Sequence, residues 1–223
     1  MVPREEPGNT RDVALFGENL RTAVDTAGHA LTSDTLERLA IHYRLLRQWG
    51  KRTNLTGLRT REAILRRHFL EPIAAADLLV GEGTLLDLGS GNGFPAIPLA
   101  ILHPGIHLIL VEASEKKSAF LLAVLQEVGL KAAQVTTRRV CRRADLTEWL
   151  PVRWLTYRGI RIEEALSGPG PDLLTPGGRM LAFISADEAT KLAADPPAGL
   201  CLTGSRPLPA SPGDVVAVLE RSD

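Results

Sequence analysis

Over the first eighty residues apolar positions recur at helical spacing, and beyond residue 84 they gather into short runs. Leu36, Leu39, Tyr43 and Leu46 fall on one face of a helix predicted over 34–50, with Asp34 and Glu37 as a capping pair at its start. A shorter helix is predicted over 11–27 and ended by Gly28, the segment Thr53-Asn-Leu-Thr-Gly57 breaks the period, and a third helix starts at about Thr60. These pieces form a helical extension, 1–80, packed on the rest. From Thr84 apolar runs alternate with helical stretches, the pattern of a parallel sheet with crossover helices. Strands are predicted at 85–88, 107–111, 133–137, 153–157, 179–184 and 214–219. The helix between the second and third is the clearest: Ser114 caps it, Phe120, Leu121, Val124, Leu125 and Val128 line one face, and Gly129 stops it. Loops are expected at Ser167-Gly-Pro-Gly-Pro171 and Pro196-Pro197, there is no internal repeat, and the last fifty residues show the weakest pattern. The expectation is an α/β fold in which 81–223 forms one unit.

Composition narrows the class. A chain of 223 residues, 44% hydrophobic and 23% charged, can bury one main core and is not disordered as a whole. No apolar run approaches the roughly 18 residues that span a bilayer. The start, Met1-Val-Pro-Arg-Glu-Glu, has no apolar stretch behind it, so a soluble, cytoplasmic protein is expected, with no membrane contact. Cys141 and Cys201 alone build neither a disulfide framework nor a four-ligand zinc site, and no metal is expected.

Basic and acidic residues cancel, 26 against 26, but locally they do not. Arg44, Arg47, Lys51, Arg52, Arg59, Arg61, Arg66 and Arg67 face a single acid, Glu62, in their stretch. Arg138, Arg139, Arg142, Arg143, Arg153, Arg158 and Arg161 face Asp145 and Glu148. Such clusters are either solvated helix faces or places where phosphates dock.

The chemistry-bearing segment is Leu85-Leu-Asp-Leu-Gly-Ser-Gly-Asn-Gly-Phe-Pro95, where the first predicted strand ends. Glycines at 89, 91 and 93 let the backbone turn sharply and let a ligand approach it, and the next helix start offers free N–H groups. The spacing disfavours the dinucleotide fingerprint, whose third glycine falls three positions after the second. Alternating glycines preceded by Asp87 resemble instead the first motif of class I methyltransferases that use S-adenosylmethionine. Glu112, at the end of the next strand, stands where a carboxylate can accept both ribose hydroxyls.

The run Gly89-Ser-Gly-Asn-Gly-Phe-Pro-Ala-Ile-Pro98, with Asn54-Leu-Thr56, Arg67-His-Phe-Leu70 and Lys116-Lys-Ser-Ala-Phe-Leu121, is more specific. It resembles the RsmG (GidB) family, which methylates N7 of a guanine in small-subunit ribosomal RNA, over about residues 35 to 140. The resemblance implies a Rossmann-like class I methyltransferase fold with a helical N-terminal extension, S-adenosylmethionine as cofactor, and small-subunit ribosomal RNA or the assembled small subunit as substrate, met by a monomer. Carried over by matching positions, Gly89, Ser90, Gly91, Gly93 and Phe94 bind the cofactor and Glu112 its ribose. Arg139 resembles the arginine of the family's Gly-Arg-Ala-Glu segment, which places Val140 and Cys141 about the adenine. Arg158 resembles that of its Thr-Ser-Arg-Ala segment, near the cofactor. Asn54, Arg66, Arg67, His68 and Arg139 are the candidate RNA contacts. Cys141 stands where the family has an acid, Tyr157 and Gly159 where it has Ser and Ala, and Ile184-Ser185 where it has Lys-Gly.

N7 of guanine carries an in-plane lone pair and no proton, so its methylation requires no general base, and no catalytic residue is assigned. Alignment of nucleophile and methyl group can supply several kcal/mol. Arg139 and Arg158 are expected to hold phosphate or cofactor carboxylate, since positive charge moves onto the guanine ring. His68 is either a packed structural residue or an RNA contact. Asn54 either positions a base or closes a turn through its side chain. Phe94 is the best-placed aromatic for base stacking. Two alternatives to the RNA enzyme stay open: a methyltransferase for a small molecule or protein, and a cofactor-binding, ribosome-associated module without activity.

Overall fold

Asn9 opens the first helix in a computed structural model that describes residues 8–160, 166, 170–209 and 211–221. Its side chain accepts the Asp12 amide of α1 (Thr10–Thr26), and the helix ends ahead of Gly28, which adopts φ 79°. α2 (Ser33–Trp49) follows the expected span with a different cap. Thr32 accepts the Thr35 amide, whereas Asp34 lies inside the first turn and pairs with Arg38. The third helix starts after Thr60 as α3 (Arg61–Ile64), widens into a π-helical segment at Leu65–Leu70, and resumes as α4 (Glu71–Ala75). Pro72 has no N–H for the carbonyl four residues back, so the regular ladder breaks where the π segment ends.

Strands β1 (Gly83–Leu88), β2 (Ile106–Glu112), β3 (Ala133–Thr137), β4 (Val152–Arg158), β5 (Leu174–Ser185), β6 (Leu200–Pro207) and β7 (Asp214–Arg221) form one seven-stranded sheet in the order β3-β2-β1-β4-β5-β7-β6. Strands β1 to β5 are parallel, β7 runs antiparallel to β5, and β6 antiparallel to β7. Helices α5 (Ala96–Leu102) and α6 (Glu115–Val128) cross from β1 to β3, and α7 (Ala186–Ala194) follows β5. This is the expected α/β arrangement, a mostly parallel sheet with helices on both faces and the helical extension packed on one of them.

Alternation along the strands divides the core. Leu85, Leu108, Leu110, Trp154, Leu181 and Phe183 point to one face, where they share a single apolar cluster with Phe16, Leu39, Tyr43 and Phe69 of the extension. Leu86, Ile109, Val111, Leu155, Met180 and Ala182 point to the other, against Leu192 of α7. The chain leaves β1 for β2 and β3 on one side and returns to β4 on the other. A crevice therefore opens at the carboxyl ends of β1 and β4, the place where ligands bind in such sheets.

β6 and α7 have no counterpart among the predicted elements. β6 is an edge strand with mostly exposed side chains and a register shift between Leu202 and Gly204, so its alternation is broken. α7 is short, but Ser185 and Glu188 cap each other reciprocally, a signal that can be read in the sequence. Ser114 stands at the start of α6, but its hydroxyl makes no capping bond; its amide is held elsewhere. Pro196-Pro197 lies in a loop, whereas positions 167–169 of the other expected loop lie outside the described residues.

Candidate functional site

Beyond Leu88 the chain turns at once through Gly89, Gly91 and Gly93, with φ of 67°, 54° and 82°. The amides of Gly89 and Ser90 donate to the Val111 carbonyl at 2.9 and 3.0 Å, which pins the turn to the end of β2. Ser90 also donates its hydroxyl to the Asp87 carbonyl, so its side chain serves the turn from inside. A Cβ on Gly93 would meet Ile97 at 2.5 Å, a packing constraint. At Gly91 the nearest atom to such a Cβ is the Gly89 carbonyl oxygen at 3.6 Å, so apart from the positive φ the position opens on free space a ligand can enter.

Glu112 closes the other side. Its two carboxylate oxygens accept the amides of Gly91 and Ser114, each at 2.8 Å, while the residue is 7% exposed. The carboxylate is thus held across the turn with a lone pair left on each oxygen, the geometry a vicinal diol requires. The chain leaves β3 beside it, because the Arg138 amide donates to the Glu112 carbonyl at 2.9 Å. Val140 then packs half-buried on the second core, and Cys141 is exposed, its amide held by Asp145. Asp87 lies buried behind the turn. One carboxylate oxygen accepts the Thr156 hydroxyl at 2.7 Å and the other has no partner. Burial, partly offset by that hydrogen bond, pushes Asp87 up to about 7. A clamped diol acceptor, an open backbone at Gly91 and a buried acid with a spare oxygen together suit the expected S-adenosylmethionine.

Phe94 is placed otherwise than expected. Its ring lies between His42 and His68, with centroids 4.3 and 4.5 Å away and near-parallel planes, and Phe69 meets its edge. Both faces are covered, so it offers no platform to a base. His42 Nε2 donates to the Asn92 carbonyl at 2.9 Å, and Asn92 Nδ2 donates to the Leu55 carbonyl at 3.0 Å. His68 Nε2 meets the Thr56 hydroxyl at 3.0 Å. Burial pulls His42 down to about 4, and burial with the charges of Arg158 and Arg67 pulls His68 to about 3, so both rings are neutral near pH 7. His68 is accordingly a packed support for the turn. Asn54 is exposed, and among the described residues its side chain closes no turn. His42 and Asn92 are the supports that periodicity alone concealed.

The second basic cluster is largely tied into the fold. Arg143 is buried and donates to the carbonyls of Pro171 and Ala198, and Arg153 donates to that of Pro176. Arg138 pairs with Glu148, Arg142 with Asp145, and Arg161 lies outside the described residues. Arg139 stays exposed. Arg158 binds the fully buried Glu71 and donates to the Arg67 carbonyl at 2.8 Å. Its guanidinium thus ties the end of β4 to the extension, where a phosphate or cofactor carboxylate was expected. Arg66 pairs with Glu62, and Arg67 with Asp214 and Ser211. Arg67, Arg158, Ile160, Phe183, Glu188 and Asp214 border a cavity of about 330 Å³ at the ends of β4 and β5, next to the turn through the Ile160 side chain that crowds Gly89. No described helix is long and apolar enough to cross a membrane, and no described cluster of His, Cys, Asp and Glu could hold a metal ion.

Comparison with known proteins agrees with this arrangement. Residues 35–200 match the family model described as rRNA small subunit methyltransferase G. A ribosomal RNA small subunit methyltransferase G from Neisseria meningitidis is 36% identical over 58% of this chain, and the match spans 62% of that relative. One from Alkalilimnicola ehrlichii is 34% identical over 79% of each chain. The solved ribosomal protein L11 methylase from Lactobacillus delbrueckii subsp. bulgaricus shares the fold, with a TM-score of 0.54 over 74% of this chain and 81% of its own, at 12% identity.

Proposed function

The chain belongs to the rRNA small subunit methyltransferase G family, and from that premise we propose that it transfers a methyl group from S-adenosylmethionine to N7 of a guanine in small-subunit ribosomal RNA. The observation that carries this reading is the clamp made by Glu112 and the glycine turn at the carboxyl ends of β1 and β2. Bound there, S-adenosylmethionine supplies an electrophilic methyl group. Glu112 accepts the ribose hydroxyls, Gly91 lets the ligand close on the backbone, and Val140 with Cys141 borders the base. The acceptor guanine enters from the ends of β4 and β5, where the cavity beside Ile160 opens. Its N7 needs no base to deprotonate it, so the protein's work is to align the two reactants and exclude competing water. The protein acts as a cytoplasmic monomer on ribosomal RNA or the assembled small subunit.

Two measurements test this. Mapping N7-methylguanine in small-subunit ribosomal RNA from cells with and without the gene should show one modified position lost; an unchanged map refutes the assignment. In calorimetry, Gly91→Val should weaken S-adenosylmethionine binding by roughly tenfold or more, because a β-branched side chain at φ 54° is strained and projects into the open groove. Unaltered affinity would place the ligand away from the turn.

A further inference from the structure

We propose that the groove between the end of α2 and the start of α6 is the track on which this protein holds the sugar-phosphate backbone of unpaired RNA. The inference rests on the ribosomal RNA reading above and places the nucleic acid on a particular surface. Of the eight cations from Arg44 to Arg67, five meet acids: Arg44 with Glu127, Arg47 and Arg61 with Asp12, Arg66 with Glu62, and Arg67 with Asp214. Among the described residues, Lys51, Arg52 and Arg59 meet none, nor does Lys116 of α6. Lys51, Arg52, Arg59 and Lys116 lie on one stretch of surface.

Gln48, Trp49, Lys51, Arg52, Thr53 and Lys116 line a cavity of about 550 Å³ without a carboxylate. Lys51 also borders a neighbouring cavity of about 270 Å³ that carries Arg59, again with no acid in its wall. The basic surface therefore runs on through Lys51. Trp49 is half-buried, its indole packed edge-on against Phe120 at 5.8 Å, so the ring is fixed from behind while part of it stays in the groove. A rigid aromatic among unpaired cations suits a stacked base flanked by phosphates. A small methyl acceptor has no use for such a length of positive surface.

The track also leads to the right place. Leu55, two residues past Thr53, receives Asn92 of the glycine turn, and Thr56 in the wall of the second cavity bonds His68 beneath it. Lys116 lies in the first turn of α6, just beyond the Ser114 amide that Glu112 holds. RNA laid along these residues passes beside the cofactor clamp.

The test is anisotropy of a fluorescein-labelled, unstructured RNA at increasing KCl, with wild type, the triple variant Lys51→Gln/Arg52→Gln/Lys116→Gln, Trp49→Phe, and Arg66→Ala. The triple variant should bind roughly tenfold or more weakly and lose about 2 units of salt slope, at about 0.7 per lost phosphate contact on a single strand. Its S-adenosylmethionine affinity and thermal unfolding should match wild type. RNA should quench tryptophan emission in wild type and not in Trp49→Phe. A slope unchanged in the triple variant, or reduced by Arg66→Ala and not by it, overturns the groove even when the ribosomal modification map supports the methyltransferase. Wild type that neither binds RNA in a salt-dependent way nor modifies ribosomal RNA overturns both.

Discussion

Arg158→Met is expected to destabilise the protein by about 3–5 kcal/mol, with S-adenosylmethionine binding lost only as the fold is lost. The substitution removes the partner of Glu71, a carboxylate with no solvent exposure whose other oxygen already accepts the Ser211 hydroxyl at 2.6 Å. A carboxylate left there loses its direct ion pair in a site closed to solvent. Arg158→Lys should lie between, because an ammonium cannot reach both Glu71 and the Arg67 carbonyl as the planar guanidinium does. Removing both charges in Arg158→Met/Glu71→Leu should recover much of the loss, since an apolar pair of similar bulk carries no desolvation cost. Thermal and urea unfolding of the four proteins settles it. A loss below about 1 kcal/mol for Arg158→Met would mean that water reaches Glu71 and that the pair does not clamp β4 to the extension.

Arg158 also shows where sequence stops informing. The resemblance of its segment located it near the crevice, but its partner lies 87 positions away, on α4. The same holds for Arg67 with Asp214 and Arg206 with Asp77. A run of arginines in the sequence says nothing about which acids the fold will bring to them, so clusters that suggested phosphate contacts are in good part internal pairs. The glycine turn was legible for the opposite reason. Positive φ, the strand end before it and Glu112 in the adjacent parallel strand are local or nearest-neighbour features, fixed by the register of Leu88 against Val111. The parallel strands were legible through their apolar runs. The π segment was not: Pro72 marks an interruption in the sequence but not the form it takes.

The motifs of the extension acquire their meaning only here. Leu55, Thr56, His68 and Phe69, with His42, hold Asn92 and Phe94 from below, so the extension positions the turn between Gly91 and Pro95. Phe94, which looked like a stacking platform for RNA, is the filling of that support.

Acid should therefore undo this protein through the turn's own foundation. His42 and His68 have ordinary values near 6.5 in the unfolded chain and about 4 and about 3 when folded, so below pH 6.5 the unfolded state binds the protons that the native state refuses. Their contribution to stability is complete above pH 6.5 and is lost as pH falls. Two protons correspond to a slope of about 2.7 kcal/mol per pH unit. Asp87 works against them: raised from 3.8 to about 7, it is protonated in the native state and ionised in the unfolded one between those values, so its contribution fades as pH rises. The net difference near pH 5 is close to one proton, about 1.4 kcal/mol per pH unit, with stability falling toward acid. Asp87→Asn should steepen the dependence to nearly two protons. His42→Phe keeps the aromatic stack, loses the bond to the Asn92 carbonyl, and should be less stable at pH 7.5 while almost flat between pH 5 and 6.5, because the remaining histidine and Asp87 then cancel. Urea unfolding at half-unit steps of pH reads all three slopes, and a slope that ignores His42 would show that the ring is protonated or hydrated in the folded protein.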